Sequence, residues 1–148
     1  MSDTQNQAEI CTDCDPQVGS EPVIRQEDPL DKSTFTVPTG GRYPMLVIEY
    51  CDRCRWLHRA TWMLTELSLT FTPPLIRSTM LVPVAAPEPA GRFRIWLITK
   101  PQESKEQGDG TLVWDRKIED GFPDPKVVKQ RIRDHVAPGM SLGHSDRK

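Results

Sequence analysis

The chain has 148 residues, 19 basic and 21 acidic, for a net charge of −2, so no bulk field argues for nucleic acid or an anionic membrane as a partner. Hydrophobic residues make up 36%, and no apolar run approaches the roughly 20 residues of a membrane-spanning helix. The 14 prolines fall mostly in clusters, which leaves room for one modest core.

Charge is distributed unevenly. Residues 1–42 hold eight acidic and three basic side chains, net −5, and the remainder thirteen and sixteen, net +3. No apolar period of 2 or 3.6 is sustained in 1–42, so too little apolar surface is available to offset ordering entropy. The expectation is a disordered acidic tail. The N-terminus lacks the basic stretch and apolar core of an export signal, and the chain reads as cytoplasmic, or nuclear. Thiols in those compartments are kept reduced. Four cysteines arranged as two Cys-x-x-Cys pairs, Cys11/Cys14 and Cys51/Cys54, therefore suggest redox or metal chemistry before a structural disulfide.

Residues 44–50 form an apolar run that reads as a buried strand. From Arg55 to Phe71 the period changes: Trp56, Ala60, Met63, Leu64, Leu67 and Phe71 fall on one helical face. Pro73 and Pro74 end that helix. Residues 75–82 read as a second strand, completing a parallel strand–helix–strand crossover. A proline-bearing connection leads to residues 92–98, where Phe93, Ile95 and Leu97 alternate with Arg92, Arg94 and Trp96 as in a strand with one apolar face. A polar loop over 99–110 precedes a returning strand over 111–117. Asp124 as N-cap and Pro125 at the first helical position open a second helix, which Pro138 and Gly139 stop. The order β-α-β-β-β-α predicts a minimal thioredoxin-like α/β fold, with a four-stranded mixed sheet and both helices on one face. The expected organisation is a tail over 1–42, a domain over 43–137 and a polar C-terminal tail over 138–148.

The chemistry concentrates at Tyr50-Cys51-Asp52-Arg53-Cys54-Arg55-Trp56, between a strand and a helix. A turn brings two cysteines three apart within disulfide reach, and a helix N-terminus supplies a field that stabilises a thiolate. Arg53 and Arg55 flank Cys54 and add to that field, whereas Asp52 opposes it. His58, four residues after Cys54, would lie one helical turn along and bear on its proton balance. Two other readings remain open: a zinc module built from Cys11, Cys14, Cys51 and Cys54, and a non-enzymatic module that binds a protein partner through the acidic tail or the open sheet face. The first pair has neither a strand before it nor a helix after it. Trp56, Trp62, Trp96 and Trp114 are expected as core or sheet cover.

The motif over 50–56, with Arg59, Ala60 and Trp62 on the helix, Gly91-Arg92-Phe93-Arg94-Ile95, residues 112–117 and Gly121-Phe122-Pro123, resembles the selenoprotein T/W/H (Rdx) family over residues 43–137. The stretch 142–146 resembles a subset of its non-animal members. The resemblance implies a thioredoxin-like fold and a thiol–disulfide oxidoreductase role with Cys51 and Cys54 catalytic, no bound cofactor or metal, and glutathione or oxidised protein thiols as partners. Many members carry selenium at the second motif position, which is Cys54 here. By that resemblance Cys54 attacks and Cys51 resolves, whereas thioredoxins proper use the first cysteine, so the order of roles stays open at this point.

Overall fold

A computed structural model describes residues 27–38, 40–100 and 110–147. The chain divides into two units, 1–38 and 39–148. Most of the expected acidic tail, with Cys11 and Cys14, lies outside the described residues. Residues 27–38 are exposed and contain one 3-10 turn, Lys32–Thr34, capped by Asp31, whose carboxylate accepts from the Ser33 N–H.

The second unit starts slightly earlier than residue 43. Arg42 donates its N–H to Ser78 Oγ at 3.1 Å, and its carbonyl accepts from the same hydroxyl at 2.6 Å. Its elements are β1 (Met45–Cys51), α1 (Leu57–Thr70), β2 (Ser78–Val84), β3 (Phe93–Ile98), β4 (Gly110–Asp115) and α2 (Pro125–Val136). The sheet order is β2-β1-β3-β4. β1 pairs in parallel with β2 and antiparallel with β3, and β3 pairs antiparallel with β4. A parallel pair cannot be joined by a hairpin, and α1 supplies the crossover.

Three elements depart from the sequence reading, and of these β4 ends at Asp115 rather than at residue 117. β2 begins three residues later than expected and runs through Pro83, which lies opposite Tyr50. An edge strand tolerates a missing N–H on its outer side, so proline does not end it there. The helix expected from Arg55 begins only at Leu57, because Arg55 adopts φ +54 and cannot join the helical ladder.

Alternation along β1 and β3 builds the core. Leu46, Ile48 and Tyr50 lie opposite Leu97, Ile95 and Phe93, and this face packs against Ala60, Met63 and Leu67 of α1 and Val128 and Ile132 of α2. Both helices therefore cover the same sheet face, as a minimal thioredoxin-like domain requires. Burying each large aliphatic side chain here contributes about 1.5–3 kcal/mol. Trp114 is also in this core, whereas Trp62 is 54% exposed on α1, so the expectation that all four tryptophans serve as cover does not hold for it.

The opposite face carries a polar network. Glu49 accepts from Trp96 Nε1 at 2.8 Å and pairs with Arg92 at 3.3 Å, while Asp115 pairs with Arg94 at 2.5 Å. These contacts satisfy charged groups on a sheet face that no helix of the described residues covers. Asp124 caps α2 by accepting from the Lys126 N–H, with Pro125 in the first turn. The expected C-terminal tail is folded back on α2. Met140 and Leu142 pack against the core, Gln130 Nε2 donates to the Ser145 carbonyl, Lys126 Nζ donates to that of Arg147, and Arg133 pairs with Asp146. Its polar sequence hid this docking because two apolar residues and several side-chain contacts suffice to hold it. Most of the polar loop expected over 99–110 lies outside the described residues.

Candidate active site

Cys51 is the last residue of β1, opposite Val84 of β2, and its N–H donates to the Arg92 carbonyl at 2.8 Å. The next N–H, that of Asp52, donates to the Val84 carbonyl at 3.1 Å. Neighbours on both sides thus clamp the end of β1 before the chain turns. The turn closes through the Arg55 N–H to the Asp52 carbonyl at 2.8 Å and the Trp56 N–H to the Cys51 carbonyl at 3.4 Å. Arg55 at φ +54 occupies a region that costs a residue with a Cβ about 1–2 kcal/mol, so the loop holds backbone strain immediately after Cys54.

This turn sets the two sulfurs 2.7 Å apart, inside van der Waals contact and close to disulfide distance. Cys51 is 1% exposed and Cys54 is half-buried. The pair shares its protons unequally. Cys51 is pushed down, chiefly by the Cys54 S–H, then by the Gly91 N–H, with the Cys54 N–H and the Arg53 charge adding, against burial. Cys54 is pushed up by its bond to Cys51 and by burial, with Gly91 and Arg53 acting in the other direction. Two coupled thiols of this kind lose one proton early and the other late.

Gly91 is the residue that sequence reasoning missed as a site member. Its φ of +82 suits glycine, and a Cβ there would meet Arg116 Nη2 at 3.1 Å. A glycine directly before an alternating strand was the available signal, since such a position often marks a close backbone approach. Arg116 gave no signal: its Nε donates to the Gly91 carbonyl at 3.1 Å, a contact created by strand pairing across 25 residues.

Of the three side chains expected to tune the pair, Arg53 acts on both thiols while its Nη2 donates to the Glu88 carbonyl at 2.9 Å. Arg55 is exposed, and neither it nor His58 is among the groups that bear on the two sulfurs. The one-turn relation expected between Cys54 and His58 requires Cys54 to be helical. Cys54 instead sits three residues before α1, and His58 is exposed. Trp56, the residue before α1, makes no side-chain cap and forms an edge-to-face pair with Phe122 at 4.8 Å. The Arg59 guanidinium lies 4.3 Å from the Phe122 ring centre and that of Arg116 lies 5.0 Å from the Trp56 ring. An aromatic wall faced with guanidinium groups therefore adjoins the cysteine loop.

Among the described residues, no group of three or more His, Cys, Asp or Glu is placed to hold a metal ion, and a four-sulfur site would need Cys11 and Cys14 from outside them. No helix of the described residues is long and apolar enough to cross a membrane.

A Cys-x-x-Cys pair between the first strand and first helix of this sheet defines a thioredoxin-like domain with a dithiol site. The chain belongs to the Rdx family, whose model matches residues 45–134. Among solved structures, a selenoprotein W-related protein from Vibrio cholerae is 36% identical, with a TM-score of 0.49 over 62% of this chain and 95% of that one. A protein from Bordetella parapertussis is 40% identical, with a TM-score of 0.47 over the same shares. No curated protein matches the chain.

Proposed function

We propose that Cys51 and Cys54 form a thiol–disulfide exchange centre that reduces oxidised protein thiols or mixed disulfides, with glutathione as its redox partner and the cytoplasm as its compartment. The observation that carries this reading is the 2.7 Å approach of the Cys51 and Cys54 sulfurs at the end of β1. An inert buried cysteine has no need of a second sulfur held against it.

Exposure and charge assign different roles. Cys54 is the more accessible sulfur, whereas the negative charge rests more readily on Cys51. The shared proton reconciles them. Once Cys51 has lost its proton to solvent, transfer of the Cys54 proton to the Cys51 thiolate leaves an accessible thiolate on Cys54, which attacks the substrate disulfide and expels one thiolate. Cys51 then loses its proton to that leaving group, attacks Cys54 Sγ, closes the internal disulfide and expels the second thiolate. Two electrons pass from the dithiol to the substrate.

Mass spectrometry of trapped intermediates tests the order. Cys51→Ser is expected to accumulate a mixed disulfide on Cys54; accumulation solely on Cys51 in Cys54→Ser would reverse the roles.

A further inference from the structure

Charge around the two sulfurs is lopsided. Among the described residues, Arg92 and Arg94 pair with Glu49, Glu88 and Asp115, and Arg131 and Arg133 pair with Glu119, Asp134 and Asp146. Arg53, Arg55, Arg59 and Arg116 share no ion pair within this set, and all four lie on or beside the cysteine loop. The contacts place them there. Arg53 and Arg55 bracket Cys54, Arg116 holds the Gly91 carbonyl and stacks on Trp56, and Arg59 stacks on Phe122, which in turn packs edge-on against Trp56. Opposing carboxylates next to this loop and wall include the exposed Asp52 and Asp120, and Glu88, whose carboxylate pairs with Arg92.

Arg42, Arg77 and Arg147 also make no ion pair among the described residues, but they lie at the start of β2 and near the C-terminus, whereas these four gather in one place and give the mouth of the site a local excess of positive charge. Arg59 and Arg116 lie over aromatic rings, and Arg59, which makes no side-chain hydrogen bond among the described residues, is placed to donate two N–H bonds to a carboxylate. Like charges gathered in this way repel one another, and an anionic ligand relieves that repulsion.

We infer that the site selects disulfides that carry carboxylates close to the S–S bond, with Arg59 as the specificity-determining residue and Arg53, Arg55 and Arg116 supplying the surrounding field. The inference rests on the redox reading of Cys51 and Cys54 and names the substrate class for it. The chemical step is unchanged: the dithiol becomes the Cys51–Cys54 disulfide, the substrate disulfide becomes two thiols, and the two protons go to the departing thiolates.

Three disulfides with the same two-carbon arms test it: 3,3′-dithiodipropionate (anionic), 2-hydroxyethyl disulfide (neutral) and cystamine (cationic). The full-length reduced protein is mixed with each, and its oxidation rate is divided by the rate of the same disulfide with dithiothreitol, which removes intrinsic differences in leaving group. The dicarboxylate is expected to exceed the neutral compound by about threefold or more at low salt and the cationic compound by a wider margin. That advantage is expected to shrink as ionic strength rises. Arg59→Gln, on the exposed side of α1, is expected to lower the ratio of anionic to neutral rates by about two- to fivefold. Equal normalised rates, or a faster cationic disulfide, would overturn the charge selection and leave the redox reading standing. Failure to reduce all three would remove both.

Discussion

Arg116 donates from Nε to the Gly91 carbonyl at 3.1 Å, so the end of β4 holds in place the glycine whose N–H acts on both cysteine sulfurs. The same guanidinium lies over Trp56 at 5.0 Å, which joins the residue before α1 to the same anchor. Strand β4, the cysteine loop and the start of α1 are therefore registered against one another through a single side chain. Arg116→Gln keeps the polarity but loses both the fixed donor and the stacking plane. It is expected to free the Gly91 amide, raise the lower thiol pKa toward the ordinary range and slow alkylation at neutral pH by about three- to tenfold. The rate of iodoacetamide alkylation as a function of pH checks this. A role confined to stability would lower the melting temperature and leave the profile in place.

Arg55 sits at φ +54, where a Cβ is disfavoured. Arg55→Gly is expected to stabilise the reduced domain by up to about 1 kcal/mol, because the relief of left-handed strain exceeds glycine's larger entropic loss. Urea denaturation of the reduced protein gives the number. A destabilised variant would mean that the Arg55 side chain contributes more than its backbone conformation costs.

Cys54 supplies the largest single influence holding the Cys51 thiol down. Cys54→Ala removes that donor, so Cys51 is expected to titrate nearer the ordinary thiol range, whereas Cys54→Ser keeps a hydroxyl donor and should fall between. Thiolate ultraviolet absorbance followed against pH reads this order directly. Identical titrations for the two variants would show that the Gly91 and Arg53 contributions, not the neighbouring sulfur, set the proton affinity.

Asp115 is 6% exposed and lies on the sheet face away from the helices. Burial alone would push its carboxyl up, but the Arg94 side chain and the Ile118 and Lys117 N–H groups outweigh it, and the net direction is down. A carboxyl whose folded pKa is depressed adds stability that is fully present above its unfolded pKa of about 3.9 and is lost as pH falls through the lower folded value. Asp115→Asn is therefore expected to cost about 1–2 kcal/mol near neutral pH, discounted because Arg94 is partly solvated, and the gap from the unsubstituted protein should close below about pH 4. Chemical denaturation at several pH values measures that closure. A gap that widens in acid would contradict the sign.

Much of this fold can be read in the sequence because its signals are local. Alternation in β3, the helical period of α1 and the Asp124–Pro125 start of α2 each come from residues close together in the chain. What escaped depends on pairing between distant segments. The late start of β2 and its passage through Pro83 follow from its position at the sheet edge, which no residue in the strand announces. Cys51 and Cys54 stand out by spacing and context, and Arg53 by adjacency. Gly91 and Arg116 enter the site only when β3 and β4 pair. Placing His58 beside Cys54 assumed a helix that the φ of Arg55 prevents from starting there.

An equilibrium titration of the full-length protein against reduced and oxidised glutathione shows whether Cys51 and Cys54 form a working two-electron couple. The prediction is a reversible transition to the Cys51–Cys54 disulfide, replaced in Cys51→Ser by a Cys54–glutathione mixed disulfide, with a midpoint in the cytosolic glutathione range of roughly −320 to −220 mV. A Cys51–Cys54 pair that peptide mapping finds still reduced in excess oxidised glutathione would contradict it.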